Sequence, residues 1–201
     1  MPNAPEAIGK IELNWQRVAY RLSAKVPTLY FDAGARFDDA TDEFLVRQLL
    51  REILIDTLSE SFVTLKEQPY PNARKRIDLT LGPPKEAHDT AIEIKSDGAT
   101  PGQIKEDWSK LLKCAHPIRL SIFSGVVEQR RHTTLEKEFS SKLFTIEENS
   151  QVHEIACPAF RFTIDELQGK DKKDLVAFCW IWSIGKDARS LPKIDFPIVR
   201  G

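Results

Sequence analysis

The chain has 201 residues, 41% apolar and 29% charged, with a formal net charge of −1. That describes one ordinary globular domain, with or without an extension, and excludes a surface that is basic throughout, so any patch for a polyanion must be local. The three cysteines, Cys114, Cys157 and Cys179, are odd in number and form no CxxC pair, which excludes a zinc ribbon and a thioredoxin-like site and leads us to expect a reducing, cytoplasmic compartment.

The first residues have neither the basic nor the apolar region of a secretory signal. The longest apolar run, Leu175 to Ile184, is about half of what a membrane-spanning helix needs, so no membrane association is expected. In chain order, Ile11, Trp15, Val18 and Leu22 predict a helix over 11–24, stopped by Pro27, with 28–31 as a short strand. A polar connection covers 32–42. Residues 1–40 therefore read as an N-terminal helical extension and 41–201 as a single compact domain.

That domain opens with a helix over about 41–61, in which Leu45, Val46, Leu49, Leu50, Ile53, Leu54 and Leu58 form a broad apolar stripe. A strand over 62–67, turn signals at Pro69 and Pro71, a strand over 76–81, a Gly82-Pro83-Pro84 break and a strand over 91–95 follow. A helix then runs from Gln103 to about Cys114, with Ile104, Trp108, Leu111 and Leu112 on one face. Residues 119–123 form a strand, 133–143 a helix, and 155–164 and 175–184 strands. The last is apolar at nearly every position, as in a central strand covered on both faces. The order predicts an α/β fold, a mixed central sheet flanked by helices on both faces.

Two of these strands carry chemistry. Arg76-Ile77-Asp78-Leu79-Thr80-Leu81 and Ala91-Ile92-Glu93-Ile94-Lys95 both alternate with period two. Ile77, Leu79 and Leu81 should share one face and Asp78 and Thr80 the other; Ile92 and Ile94 should oppose Glu93 and Lys95. Paired, the strands gather Asp78, Glu93 and Lys95 on one side. Two carboxylates with a lysine beside them can bind a divalent cation and steer a water. The bland alternative is an amphipathic hairpin with solvated salt bridges, which contribute little.

Asp78 followed by Glu93-x-Lys95 on the next strand, between a leading and a trailing helix, resembles the PD-(D/E)xK nuclease superfamily over roughly 42–123. The resemblance implies a restriction-endonuclease-like core and Mg²⁺-dependent hydrolysis of DNA, with Mn²⁺ able to substitute. It implies Asp78 and Glu93 as metal ligands and Lys95 as the group that positions or deprotonates the attacking water. Mg²⁺ suits this set, because it takes one or two protein carboxylates and keeps several waters. Ile77 stands where the family usually has proline, a departure that leaves the chemistry intact.

Many members add an acid from the leading helix. On a wheel of about 100° per residue, Glu43 lies roughly 70° from the centre of the apolar stripe and Glu52 about 110°. Glu43 is therefore preferred and Glu52 is the fallback; Asp56 also turns inward, near the far end. The helix dipole alone would equally favour an acid at Glu43.

For a nucleic-acid partner, Arg74, Lys75 and Arg76 precede the Asp78 strand, Gln103 and Lys105 open the trailing helix where phosphates are attracted, and Arg130 and Arg131 form a second basic run. DNA is the expected substrate and RNA the alternative. Restriction-like enzymes often form homodimers to cut both strands. A rival of another class is a non-catalytic module that binds nucleic acid or a protein. Histidine zinc spacing, a GxSxG elbow, a Walker A loop and GxGxxG are all absent from the sequence.

Overall fold

The computed structural model describes residues 7–32, 42–58, 64–70, 75–82, 87–141, 143–147, 150–165, 172–185 and 195–199. The strands are β1 (Ala7–Glu12), β2 (Thr64–Pro69), β3 (Arg76–Gly82), β4 (Thr90–Ser96), β5 (Ile118–Glu128), β6 (Leu143–Glu147), β7 (Ser150–Ala156), β8 (Ala159–Asp165), β9 (Lys172–Gly185) and β10 (Asp195–Val199). The helices are α1 (Trp15–Asp32), α2 (Glu43–Leu58), α3 (Pro101–Leu112) and α4 (Gln129–Glu138). β1 pairs with β10. The others form an open sheet in the order β2-β3-β4-β5-β9-β7-β6, with β8 also on β9. Among the described pairings only β4–β5 is parallel, so the molecule is α/β with a mixed sheet.

The core divides between the two faces of this sheet. On one, α1 and α2 pack Leu22, Val26, Leu50, Ile53 and Leu54 against Leu79, Ile92, Ile94, Leu120 and Ile122. On the other, α3 and α4 set Ile104, Trp108, Leu111 and Leu135 against Ile77, Ala91, Phe123, Trp180 and Trp182. β9 explains its own composition: Leu175, Ala177, Cys179 and Ile181 enter the first cluster, Phe178, Trp180, Trp182 and Ile184 the second. Residues 13–29, read from sequence as an extension, contribute to the first cluster.

Several sequence expectations change. The first helix runs through Pro27 to Asp32, and 28–31 is helical rather than a strand. Asn14 Oδ1 caps this helix by accepting from Arg17 N at 3.0 Å. A proline inside a helix costs about 3 kcal/mol, but Val26 is fully buried and Leu29 packs on the same cluster. Burying each such side chain is worth roughly 1.5–3 kcal/mol, so tertiary packing carries the helix past Pro27.

The expected strand over 155–164 is two, broken at Cys157-Pro158, where Pro158 has no N–H to give and its carbonyl instead accepts from Cys179 N at 3.0 Å. The expected helix over 133–143 is α4, set earlier because β5 feeds straight into it, and Leu143 opens β6. Of the expected connection over 32–42, residues 33–41 lie outside the described residues, as do 59–63, Pro71, Pro83 and Pro84. Among the described residues no helix is long and apolar enough to cross a membrane.

Candidate metal centre

The site begins with an irregularity in β3. Lys66 pairs with Thr80, and Gln68 with Ile77; β2 advances two residues while β3 advances three. The extra residue falls at Asp78–Leu79, a β-bulge of the kind that re-aims a side chain. Ile77 consequently packs with α3 while Leu79 packs with α2, which corrects the expectation that both share a face.

The bulge also ends regular pairing with β4. The ladder runs from Leu81↔Thr90 to Leu79↔Ile92. Beyond it, Ile94 N donates to Asp78 Oδ2 at 2.8 Å, so a side-chain oxygen takes the place of a strand carbonyl. Asp78 is thereby fixed by the backbone of the strand that carries Glu93.

Glu93 is 5% exposed. The Tyr70 hydroxyl donates to its Oε1, and Tyr70 N donates to Lys75 O at 3.0 Å, which ties Lys75 to Tyr70 on the cleft wall. Burial first, then the negative charge of Asp78, push the Glu93 carboxyl up to about 9, against the Tyr70 bond, which favours ionisation. At neutral pH Glu93 keeps its proton and shares it with Asp78. Burial and the Glu93 charge also raise the Tyr70 phenol, so Tyr70 stays a donor.

Lys95 lies at the end of β4, between the helix layers of both faces. Its Nζ is 3.0 Å from Glu43 Oε2 on α2 and 3.2 Å from Asp107 Oδ2 on α3. Burial alone would lower the ammonium's pKa, but Asp107 and Glu43 outweigh it and raise it. Lys95 is thus held as a cation, a point charge and not a base. Glu43 sits in the first turn of α2, where Asp42 Oδ1 accepts from Phe44 N at 3.2 Å. Glu52 lies elsewhere, exposed and 4.0 Å from Lys25, and Asp56 pairs with Arg21.

The residue that sequence reasoning missed is Asp107, 2% exposed. It lies on the apolar face of α3, among Ile104, Trp108 and Leu111, and a carboxylate on that stripe was the available signal. Trp108 packs edge-on against Trp182, ring centroids 5.3 Å apart, which fixes α3 and so Asp107. Asp107 Oδ1 also holds Lys110 Nζ at 2.5 Å, and Glu106 lies 3.1 Å from the same nitrogen.

Together Tyr70, Lys75, Arg76, Asp78, Glu93, Lys95, Asp107 and Lys110 line one open cleft of about 290 Å³. Of the other sequence candidates, Gln103, Lys105, Arg130 and Arg131 do not line this cleft. Gln103 completes a capping box with Thr100, accepting from Thr100 N at 2.8 Å. Lys105 pairs with Glu138 at 2.6 Å. Arg131 donates to Asp97 O. Arg130 stands in the first turn of α4, and Arg74 lies outside the described residues.

Asp78 and Glu93 offer the hard oxygen donors that Mg²⁺ takes, and an ion held by both would replace the proton they share. Among the described residues no group of three or more His, Cys, Asp or Glu side chains is placed to hold a metal ion; a Mg²⁺ ion bound by this pair would take its other ligands from water. Comparison with protein-family models, with curated proteins and with solved structures gives no match.

Proposed function

We propose that this chain is a Mg²⁺-dependent nuclease of restriction-endonuclease-like fold that hydrolyses phosphodiester bonds in DNA. The observation that carries the reading is the Asp78–Glu93 carboxylate pair in an open cleft with the Lys95 ammonium beside it. Asp78 and Glu93 would hold the ion, Glu93 after giving up its proton. Mg²⁺, when bound, supplies Lewis acidity toward a phosphoryl oxygen and a bound water of lowered pKa.

The chain's own groups do the rest. Lys95, kept cationic by Asp107 and Glu43, sets a positive charge beside the attacking water and the scissile phosphate. Lys75, Arg76 and Lys110 on the cleft wall offset phosphate charge and fix the backbone. Glu43 and Asp107 position Lys95.

One observation favours the rival, a binding module without catalysis. Each member of the trio already has a protein partner: Tyr70 on Glu93, Ile94 N on Asp78, and Glu43 with Asp107 on Lys95. The deciding experiment is cleavage of supercoiled plasmid and of single-stranded DNA with Mg²⁺ or Mn²⁺, comparing the native chain with Lys95→Ala. Metal-dependent cutting lost in the variant is expected. No cutting, with no metal binding by calorimetry, sinks the nuclease in favour of the module.

A further inference from the structure

We infer that the strand engaged at the cleft is single-stranded and that Phe44 stacks one of its bases. The identity of the polymer rests on the nuclease reading above; the stacking rests on other residues. Phe44 is 51% exposed in the first turn of α2, directly after Glu43, whose carboxylate touches Lys95 in the cleft. An aromatic ring half in water, next in the chain to a residue that reaches the cleft, packs no core.

One turn further on, the Arg47 guanidinium lies over the Phe44 ring, 5.5 Å from its centroid. Arg47 also donates to Glu67 Oε1 at 2.9 Å. The other oxygen of Glu67 is 3.5 Å from Arg76, and Arg76 lines the cleft. A continuous line of contacts therefore runs from the cleft through Arg76, Glu67 and Arg47 to Phe44. Its two guanidinium groups outweigh its one carboxylate, leaving a net positive charge.

A cationic track ending on an aromatic platform is how proteins hold unpaired strands, because every base offers a π-face to a ring. The Arg47 guanidinium over Phe44 holds the ring by a cation–π contact. In a duplex the base faces are covered by their neighbours, so a duplex could meet this rim only through its phosphates. The exposed ring therefore selects an unpaired segment: a single strand, a flap or a frayed end.

The test is fluorescence anisotropy on the full chain in EDTA, which prevents cutting. The probes are labelled oligothymidylate and oligouridylate of about 15 nucleotides and a duplex of equal length. The chains are native, Phe44→Ala and Phe44→Trp. Phe44→Ala should weaken single-strand binding by about 5–150-fold, leave duplex binding nearly unchanged, and melt like the native chain, since the ring is exposed. Phe44→Trp should bind single strands as the native chain does. Loss with either single-stranded polymer supports the inference. Equal loss on single strand and duplex, or no loss at all, overturns it. Metal-dependent cutting by a Phe44→Ala chain that still binds single strands fully removes the stacking and keeps the nuclease. Phe44-dependent binding by a native chain that neither binds metal nor cuts keeps the stacking and removes the nuclease.

Discussion

Glu93→Gln should make the protein more stable, increasingly so as pH rises. Burial and Asp78 raise the native Glu93 carboxyl to about 9, whereas an unfolded glutamate titrates near its ordinary value. Because the folded pKa is the higher one, the stability contributed by protonated Glu93 is complete below the unfolded pKa and is lost as pH climbs through about 9. Each unit is worth about 1.4 kcal/mol, so at pH 7 the burden is about 3 kcal/mol. Glutamine keeps an oxygen for the Tyr70 hydroxyl and gains an N–H for Asp78, with no proton to lose. In a chain of this size 1 kcal/mol moves Tm by roughly 2–4 °C. The gap between variant and native Tm should thus widen by roughly 3–5 °C per pH unit between pH 5 and 8. Calorimetric melts without divalent ions read this directly. Melting curves that stay parallel across that range would refute the buried, proton-sharing pair.

The same proton gives Mg²⁺ or Mn²⁺ binding a pH dependence. Apparent affinity should rise about tenfold per unit up to pH 9, with one proton released per ion; isothermal titration in two buffers of different ionisation enthalpy measures both, and no proton release would reject Glu93 as a ligand. Asp107→Asn removes one partner from each of Lys95 and Lys110 and should cost about 1–3 kcal/mol in urea unfolding, with a further loss of any cleavage beyond what stability explains. An unchanged midpoint would mean that Asp107 anchors neither lysine. Gly125→Ala would put a methyl 2.6 Å from Asp97 Cβ and 3.0 Å from Asp97 N. Overpacking of that kind should cost about 1–3 kcal/mol, and a variant as stable as the native chain would show that the β4–α3 turn gives way freely.

Much of this arrangement was legible because it is periodic. The alternation in β3 and β4 pointed to Asp78, Glu93 and Lys95, the α2 stripe ranked Glu43 ahead of Glu52, and the unbroken apolar run of β9 announced a strand covered twice. What escaped depends on contacts distant in sequence. The β3 bulge is a mismatch against β2, and nothing within Arg76–Gly82 encodes it. Pro27 looks like a stop until the core that receives Val26 and Leu29 is known. Asp107 stands out as a carboxylate on the apolar stripe of α3, but its partner is not visible until Lys95, twelve positions earlier on another element, arrives beside it. Gln103 is the exception, a local one: its position suggests a phosphate contact, yet its side chain closes a capping box with Thr100, three residues back.

The place of β9 bears on how the chain reaches this state. β9 lies between β5 and the β7–β8 edge, so the middle of the sheet is filled by one of its last strands. During synthesis, β5 presents an unsatisfied, strongly apolar edge until residue 185 has emerged. Pairings of that range carry a large loop-closure cost and form late, and an open edge invites association with other chains meanwhile. β9 supplies four residues to each core, so neither cluster is complete before it arrives. A chain cut before β9 should consequently be recovered as aggregate, and a soluble, folded fragment would show that β5 finds another cover. The cleft residues, all encoded before β9, would wait on it for the platform that holds them rigid.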